Sequence, residues 1–192
     1  MQCQSLRQTA SGLDLSGFDK WEKEALLYLY VNGGAGAQHS VEYMLANGIH
    51  IVIETEMHFG RPAWFDSDTV YVVLDDGKNK LLDSPWALSN IIHEALHIEQ
   101  GFALSHSIEG ERLAWQAGLS VYSNLMPSAQ RNKEFAPGTD YQNILDAKDP
   151  ATFEAAIWDI DYLASMMTFY PEYPGGTCSS LLFCFYIALN SR

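Results

Sequence analysis

Apolar residues recur at three- and four-residue intervals early in the chain, which is the period of an amphipathic helix. On this basis the segment "FDKWEKEALLYLYVN", residues 18–32, is predicted to form a first helix. The glycine-rich "GGAGA", 33–37, then predicts a flexible break. A second short helix is expected over 38–47, because the Asn47-Gly48 pair that closes this stretch is typical of a helix end.

Two segments downstream have the patterns of β-strands. "IHIVIETEM", from Ile49, alternates apolar and polar residues at a period of two, as a half-buried strand does. "TVYVVLDD", from Thr69, is denser in β-branched residues and predicts a second strand with a more apolar core. Turn residues at 60–62 and 66–68 separate the two strands.

The next two predicted helices have well-marked ends. Ser84 can cap the first of them, Pro85 suits its first helical position, and Gly101 suits the position just past its last turn. The second is expected from about Ser107 to Met126, and Pro127 ends it. The two helices are therefore close neighbours along the chain.

The rest of the sequence adds a long polar connection and further helices. Residues 127–150 read as the connection, with at most one short helical turn, and two helices are expected around 151–168 and 177–190. Helices combined with a small sheet indicate the α+β class. A length of 192 residues fits a single domain, 1–192, that is large enough to bury a core.

The composition excludes two kinds of partner. The formal net charge of −13 at pH 7 would repel a phosphate backbone, so no nucleic-acid partner is expected. The most apolar segment, "SSLLFCFYIALN" at 179–190, is shorter than the about 20 residues that a membrane-spanning helix needs. No membrane association is therefore expected.

The cysteines indicate a reducing compartment. Cys3, Cys178 and Cys184 are odd in number and include no Cys-x-x-Cys pair, which favours reduced thiols and a cytoplasmic protein. Residues 1–17 contain no apolar stretch typical of a secretion signal. Secretion is the alternative if a signal peptide was removed ahead of residue 1.

The segment "SNIIHEALHIEQGF", 89–102, contains the spacing His-Glu-x-x-His on one predicted helix. Residues four apart on a helix share a face, with β-carbons about 5–6 Å apart, so His93 and His97 can bind one Zn²⁺. Glu94, beside the first histidine, can take a proton from water at the metal. Apolar neighbours surround the three residues, and burial without a partner would be costly. A metal site is therefore favoured over an incidental pattern on an ordinary helix.

Catalytic zinc generally takes three protein ligands, and His106, Glu109 and Glu111 are the candidates for the third. Glu111 shares a helical stripe with apolar residues, whereas Glu109 lies on a mostly polar side. A carboxylate on a buried stripe needs a cationic partner, so we expect Glu111 to be the ligand. The alternative is that Glu111 pairs with Arg112 or with a nearby histidine.

Small residues on the same stripe predict that the two helices lie close together. Ala114 and Gly118 leave room for the neighbouring helix to approach. Such an approach lets a glutamate from one helix complete a site that begins on the other.

The remaining histidines and two loop tyrosines are not expected to act in catalysis. His50 and His58, near the first strand, are interpreted as core or surface residues. Tyr170 and Tyr173 lie in a Pro/Gly-rich loop, where aromatic packing is the expected role rather than stabilisation of an oxyanion.

"HEALH" followed on the next helix by "ERLAW", a Glu-x-x-Ala pattern, resembles the zincin metallopeptidases with a glutamate ligand, the gluzincins. The stretch is also similar to the small bacterial and phage zincin-like peptidases of the ImmA/IrrE type, over roughly residues 49–127. Trp115 stands where those small peptidases usually have asparagine, and no helix-turn-helix module is evident. The resemblance therefore supports the zincin metallopeptidase class better than it supports any one subfamily of that class.

The resemblance implies a zincin-like fold, in which a small sheet containing "TVYVVLDD" packs against the active-site helix with additional helices around it. It implies His93, His97 and Glu111 as ligands of Zn²⁺, and Glu94 as the general base.

The expected function is that of a zinc-dependent hydrolase, specifically a peptidase with a peptide or protein substrate. An extended peptide is expected to pair with an exposed edge of the strand that starts at Thr69. The alternative is a catalytically inactive zincin-like protein that serves as a binding or scaffold module. Metal content of the purified protein distinguishes the two.

Overall fold

The computed structural model describes residues 12–56, 62–74 and 77–158. Seven α-helices, one 3₁₀ helix and a three-stranded sheet lie within them, so the predicted α+β class is confirmed for this part of the chain. In chain order the elements are α1 (Lys20–Asn32), α2 (Ala35–Asn47), β1 (His50–Glu54), β2 (Ala63–Phe65), β3 (Thr69–Val73), the 3₁₀ helix (Lys78–Asp83), α3 (Pro85–Ser105), α4 (Ile108–Leu125), α5 (Ser128–Glu134), α6 (Asp140–Asp146) and α7 (Pro150–Trp158). No helix among these residues has the length and apolar character needed to cross a membrane.

Helices α1 and α2 form where the apolar period predicts them. The buried carboxylate of Glu22 accepts hydrogen bonds from the backbone N–H of Asp19, at 2.8 Å, and of Ile51, at 3.0 Å. One glutamate therefore satisfies a free donor at the start of α1 and joins that helix to β1. α2 begins at Ala35, earlier than expected, because the glycine-rich break is confined to the residues before it; Gly34 has a φ of 86°.

The sheet has the order β1-β3-β2, with β1 parallel and β2 antiparallel to β3. Val70 and Val72 of β3 are fully buried, and α3 packs against β2 and β3. The expectation that β3 offers an exposed edge to a peptide is wrong, because both of its edges are paired. The sequence pattern does not predict β2, since three residues are too few to show alternation and the strand depends on its pairing with β3.

The start of α3 matches the prediction from its capping residues. The Ser84 hydroxyl accepts a hydrogen bond from the Ala87 backbone N–H at 3.2 Å, and Pro85 occupies the first helical position. Gly101 leaves the helical conformation, with a φ of 70° and a ψ of 172°, as its predicted role requires. The helix then resumes for residues 102–105, which was outside the predicted bounds.

α4 lies within its predicted bounds and begins with a serine cap. The Ser107 hydroxyl accepts a hydrogen bond from the Gly110 backbone N–H at 3.0 Å. The helix ends at Leu125, before Pro127. Only two residues, 106 and 107, separate α3 from α4, and the two helices pack along each other.

The segment predicted as a long polar connection instead forms two short helices, α5 and α6. Side chains of α4 hold the end of this segment. Gln116 donates hydrogen bonds to the carbonyls of Ile144, at 3.0 Å, and Ala147, at 2.7 Å. Arg112 donates to the same Ala147 carbonyl at 3.2 Å. The prediction failed because the order of this segment depends on partners far away in the sequence.

Two groups of buried side chains stabilise the fold. The larger lies mainly among α1, α2, the sheet and α3. The smaller joins α4 to α6 and α7 and contains Ile108, Leu119, Ile144, Ala147, Phe153 and Ile157. α3 belongs to the first group and α4 mainly to the second, so the packing of α3 against α4 links them.

Some sequence expectations lie outside the described residues. The helix expected around 151–168 is described only over α7, and the expected helix at 177–190 is not covered. The same holds for Cys3, His58, Tyr170, Tyr173, Cys178 and Cys184.

Candidate metal centre

Two histidines of α3 and one glutamate of α4 bring their polar atoms together. The Nε2 atoms of His93 and His97 lie 3.2 Å apart. The carboxylate of Glu111 spans the pair, with Oε2 at 3.6 Å from His93 Nε2 and Oε1 at 3.5 Å from His97 Nε2. The structure therefore unites the three residues that the sequence singles out as candidate ligands.

All three residues are buried. His93 is 8% exposed, His97 2% and Glu111 7%. A carboxylate and two imidazoles in such surroundings lose much of their hydration, which costs free energy unless they meet a charge partner or a metal ion. The inward orientation expected for Glu111 is confirmed.

Glu94 lies beside the two histidines and is half-buried. One of its carboxylate oxygens and one ring nitrogen from each histidine all lie within 4.8 Å of one another. Its negative charge also contributes to a raised pKa of His97. A carboxylate in this position can accept a proton from a water molecule next to the histidines.

The separations among the three candidate ligands allow a test of whether a metal ion fits. Two ligand atoms each about 2.0–2.1 Å from a tetrahedral zinc ion lie about 3.3–3.4 Å from each other. The 3.2 Å between the Nε2 atoms of His93 and His97 is near this value, and each of these nitrogens lies 3.6 or 3.5 Å from a different oxygen of Glu111. A direct charge-assisted hydrogen bond between imidazolium and carboxylate is shorter, at about 2.7–2.9 Å. Two imidazoles and a carboxylate suit zinc in their chemistry, and the two histidine nitrogens are spaced as two zinc ligands would be.

The two histidines have opposite tendencies to hold a proton. Burial lowers the pKa of His93 to about 3, and the positive charge on His97 adds to the effect. Burial also acts to lower the pKa of His97, but the negative charges of Glu111 and Glu94 outweigh it and raise that pKa to about 9. At neutral pH these shifts favour a positively charged His97 beside a neutral His93.

Small residues of α4 permit the close approach that the site needs, as predicted. Ala114 is fully buried. A β-carbon added at Gly118 would lie 3.2 Å from the Ser89 carbonyl oxygen and 3.3 Å from the His93 β-carbon. Any larger residue there would have to move α4 away from the helix that carries both histidines.

Gln100 contacts His97, and the sequence pattern did not predict this contact. Its Oε1 lies 3.0 Å from His97 Nδ1, and its Nε2 donates to the Gly110 carbonyl at 3.1 Å. The position three residues after a candidate ligand on the same helix is the signal that could have identified it. Its partner on α4 could not be read from a local pattern.

Aromatic rings cover both histidines. Phe65 of β2 stacks on His97, with ring centroids 5.3 Å apart and an interplanar angle of 25°. Trp115 of α4 packs edge-on against His93, with ring centroids 5.0 Å apart and an interplanar angle of 76°. Trp115 therefore packs against a candidate ligand.

The other candidate residues have different partners. Glu109 accepts a hydrogen bond from Arg112 Nε at 2.6 Å, so Arg112 pairs with Glu109. Of the alternative partners considered for Glu111, the structure shows the nearby histidines. His106 Nδ1 lies 2.9 Å from the Phe102 carbonyl oxygen and 2.9 Å from the Ser105 hydroxyl. His50 Nδ1 lies 3.1 Å from Glu22, in agreement with a structural role.

Comparisons of the chain with protein-family models, with curated proteins and with solved structures gave no match.

Proposed function

We propose that this protein is a zinc-dependent hydrolase, and specifically a peptidase, whose metal ligands are His93, His97 and Glu111. The observation that carries the proposal is a buried cluster in which the Nε2 atoms of His93 and His97 lie 3.2 Å apart and each lies within 3.6 Å of one carboxylate oxygen of Glu111. Two histidines and one carboxylate are a ligand set used by catalytic zinc, which keeps its fourth position open. The α+β fold agrees with a zincin-like arrangement, in which the sheet packs on the helix that carries both histidines.

When bound, zinc supplies a Lewis acid that makes water nucleophilic near neutral pH and polarises a carbonyl group. The chain itself supplies a base. Glu94 accepts the proton of the attacking water and delivers it to the leaving nitrogen of the peptide bond. The half-buried position of Glu94 beside both histidines supports this role.

The substrate is proposed to be an extended peptide that pairs with β2. In the described part of the sheet, β2 is paired on one side only, with β3. Phe65 at the end of β2 stacks on His97, so this strand lies next to the proposed ligands. Backbone pairing with β2 would carry a peptide bond past the site, as strand addition does in other peptide-binding proteins.

One observation favours a rival function, a non-catalytic binding or scaffold protein. A protonated His97 beside Glu111, with a neutral His93, compensates the buried charge without any ion. The site would then be a structural ion-pair network. The distances of 3.5 and 3.6 Å between Glu111 and the histidines are long for that arrangement. Because a binding protein can also retain zinc, peptide hydrolysis separates the two functions.

The test uses zinc-loaded protein and a mixture of peptides whose cleavage is followed by mass spectrometry. The wild-type chain is expected to hydrolyse some of the peptides. Glu94→Gln is expected to keep its zinc and to lose at least about 100-fold in rate, because the general base is removed.

The matched control is Glu42→Gln, the same substitution at an exposed position of α2. It is expected to leave both zinc content and hydrolysis unchanged. Equal rates in wild type and Glu94→Gln would contradict the role of Glu94. A wild-type chain that holds zinc but cleaves no peptide would favour the rival function.

A further inference from the structure

We propose that Gln100 is a positioning residue, which fixes the His97 ring and the start of α4 relative to each other so that His97 Nε2 faces Glu111. This inference rests on the proposed metal centre. Gln100 would not bind the ion itself; it contacts His97, which is one of the proposed ligands.

The hydrogen bonds of Gln100 determine which way its side-chain amide points. The Gly110 carbonyl can only accept a hydrogen bond, so the amide nitrogen of Gln100 must face it, at 3.1 Å. The amide oxygen therefore faces His97 Nδ1, at 3.0 Å. Since that oxygen can only accept, Nδ1 must carry a proton. The lone pair of a neutral His97 is then on Nε2, the atom that lies between His93 and Glu111.

The same amide ties α3 to the residue immediately before Glu111. Gly110 lies in the first turn of α4, and its carbonyl is the acceptor for Gln100. A β-carbon at Gly110 would collide with the Leu104 carbonyl and lie 3.1 Å from the Gln100 amide oxygen. Glycine at this position thus lets the chain between the two helices fold tightly enough for Gln100 to reach across.

His93 is held by different means. The ring of Trp115 packs edge-on against it, with ring centroids 5.0 Å apart. For His97 the hydrogen-bond partner at the second ring nitrogen is a side chain, that of Gln100, and it can be replaced by mutation. Partners of this kind, which bond to the second ring nitrogen of a ligand histidine, typically contribute 10–100-fold to metal affinity, an order-of-magnitude figure.

The experiment compares Gln100→Met with Gln100→Glu. Both remove the donor to Gly110, whereas the glutamate keeps an oxygen that accepts from His97 Nδ1. Zinc affinity is measured by competition with a chromophoric chelator. Gln100→Met is expected to bind zinc about 10–100-fold more weakly than wild type, and Gln100→Glu to recover most of that loss. Gln130→Met, at an exposed position of α5, is the matched control and should bind zinc like wild type.

A spectroscopic readout accompanies the affinities. Nitrogen-15 NMR of the imidazole rings in the zinc-loaded protein is expected to show zinc on His97 Nε2 and a slowly exchanging proton on Nδ1. In Gln100→Met the Nδ1 proton should exchange faster or be lost from the spectrum.

The outcomes separate this inference from the proposed function. A wild-type chain that binds no zinc would overturn both. Wild-type affinity in Gln100→Met, or a Gln100→Glu protein as weak as Gln100→Met, would overturn the positioning role alone. Neither result would contradict the proposed metal centre.

Discussion

At the scale of single residues, the pKa of His97 bears directly on the proposed metal centre. The pKa of His97 is raised from 6.5 to about 9, chiefly by the charge of Glu111 acting against burial. A raised pKa means that this group stabilises the metal-free fold fully below pH 6.5 and loses that contribution as the pH rises through 9. If His97 is a zinc ligand, as proposed, the metal requires its neutral ring and therefore competes with the proton.

Zinc binding is therefore expected to release about one proton per ion at a pH of about 6.5, and less as the pH is raised past the pKa of His97. Titration calorimetry in two buffers with different ionisation enthalpies measures this number. His93, whose pKa is lowered to about 3, has no proton to release in this range. Binding with no proton release at the lower pH would show that His97 is not a ligand or is not protonated.

At the scale of elements, the predictable features were those that depend on neighbours in sequence. The cap at Ser84 and the non-helical backbone at Gly101 follow from local backbone chemistry, and both are found where expected. Strand β2 and helices α5 and α6 escaped the sequence reading because they depend on distant partners. The buried side of α4 was predictable from its stripe of apolar residues. The hydrogen bond from Gln100 to Gly110 was not predictable, because it joins two different helices.

Gly118→Ala tests the close packing of α3 and α4. The new methyl group would lie 3.2 Å from the Ser89 carbonyl oxygen and 3.3 Å from the His93 β-carbon, so these atoms of α3 must shift by a few tenths of an ångström. We expect the free energy of unfolding to fall by about 1–2 kcal/mol relative to Gly36→Ala, and zinc to bind more weakly. Chemical denaturation and chelator competition measure these changes.

Gly36→Ala is the matched control, because a β-carbon at this position in α2 meets nothing within 4 Å. It is expected to be neutral or to stabilise the fold by up to about 1 kcal/mol through helix propensity. If Gly118→Ala proved as stable as this control and bound zinc like wild type, the helix separation would not limit the site.

At the scale of the whole molecule, the proposed metal centre joins two cores. His93 and His97 belong to α3, which packs with the sheet and the first two helices, and Glu111 belongs to α4, which packs with α6 and α7. An ion shared by these helices would bind the folded chain far better than the unfolded one. Its effect on stability should therefore be global.

Zinc is expected to raise the melting temperature of the purified protein, and a chelator to reverse the rise. At a free zinc concentration about 100 times the dissociation constant, mass action adds about 2.7 kcal/mol to the free energy of unfolding. His97→Ala should show little or no shift. Differential scanning calorimetry with and without zinc makes the comparison, and an equal shift in wild type and His97→Ala would point to binding elsewhere.

The most direct test of the account is the zinc content of dialysed protein, measured by mass spectrometry of the metal, in wild type, Glu111→Gln and Glu109→Gln. The two variants carry the same substitution two residues apart on α4, one facing the histidines and the other facing Arg112. Wild type and Glu109→Gln are predicted to hold about one zinc per chain, and Glu111→Gln to hold much less, with circular dichroism verifying that all three are folded. Equal zinc in both variants, or a wild-type chain without zinc, would contradict the metal centre.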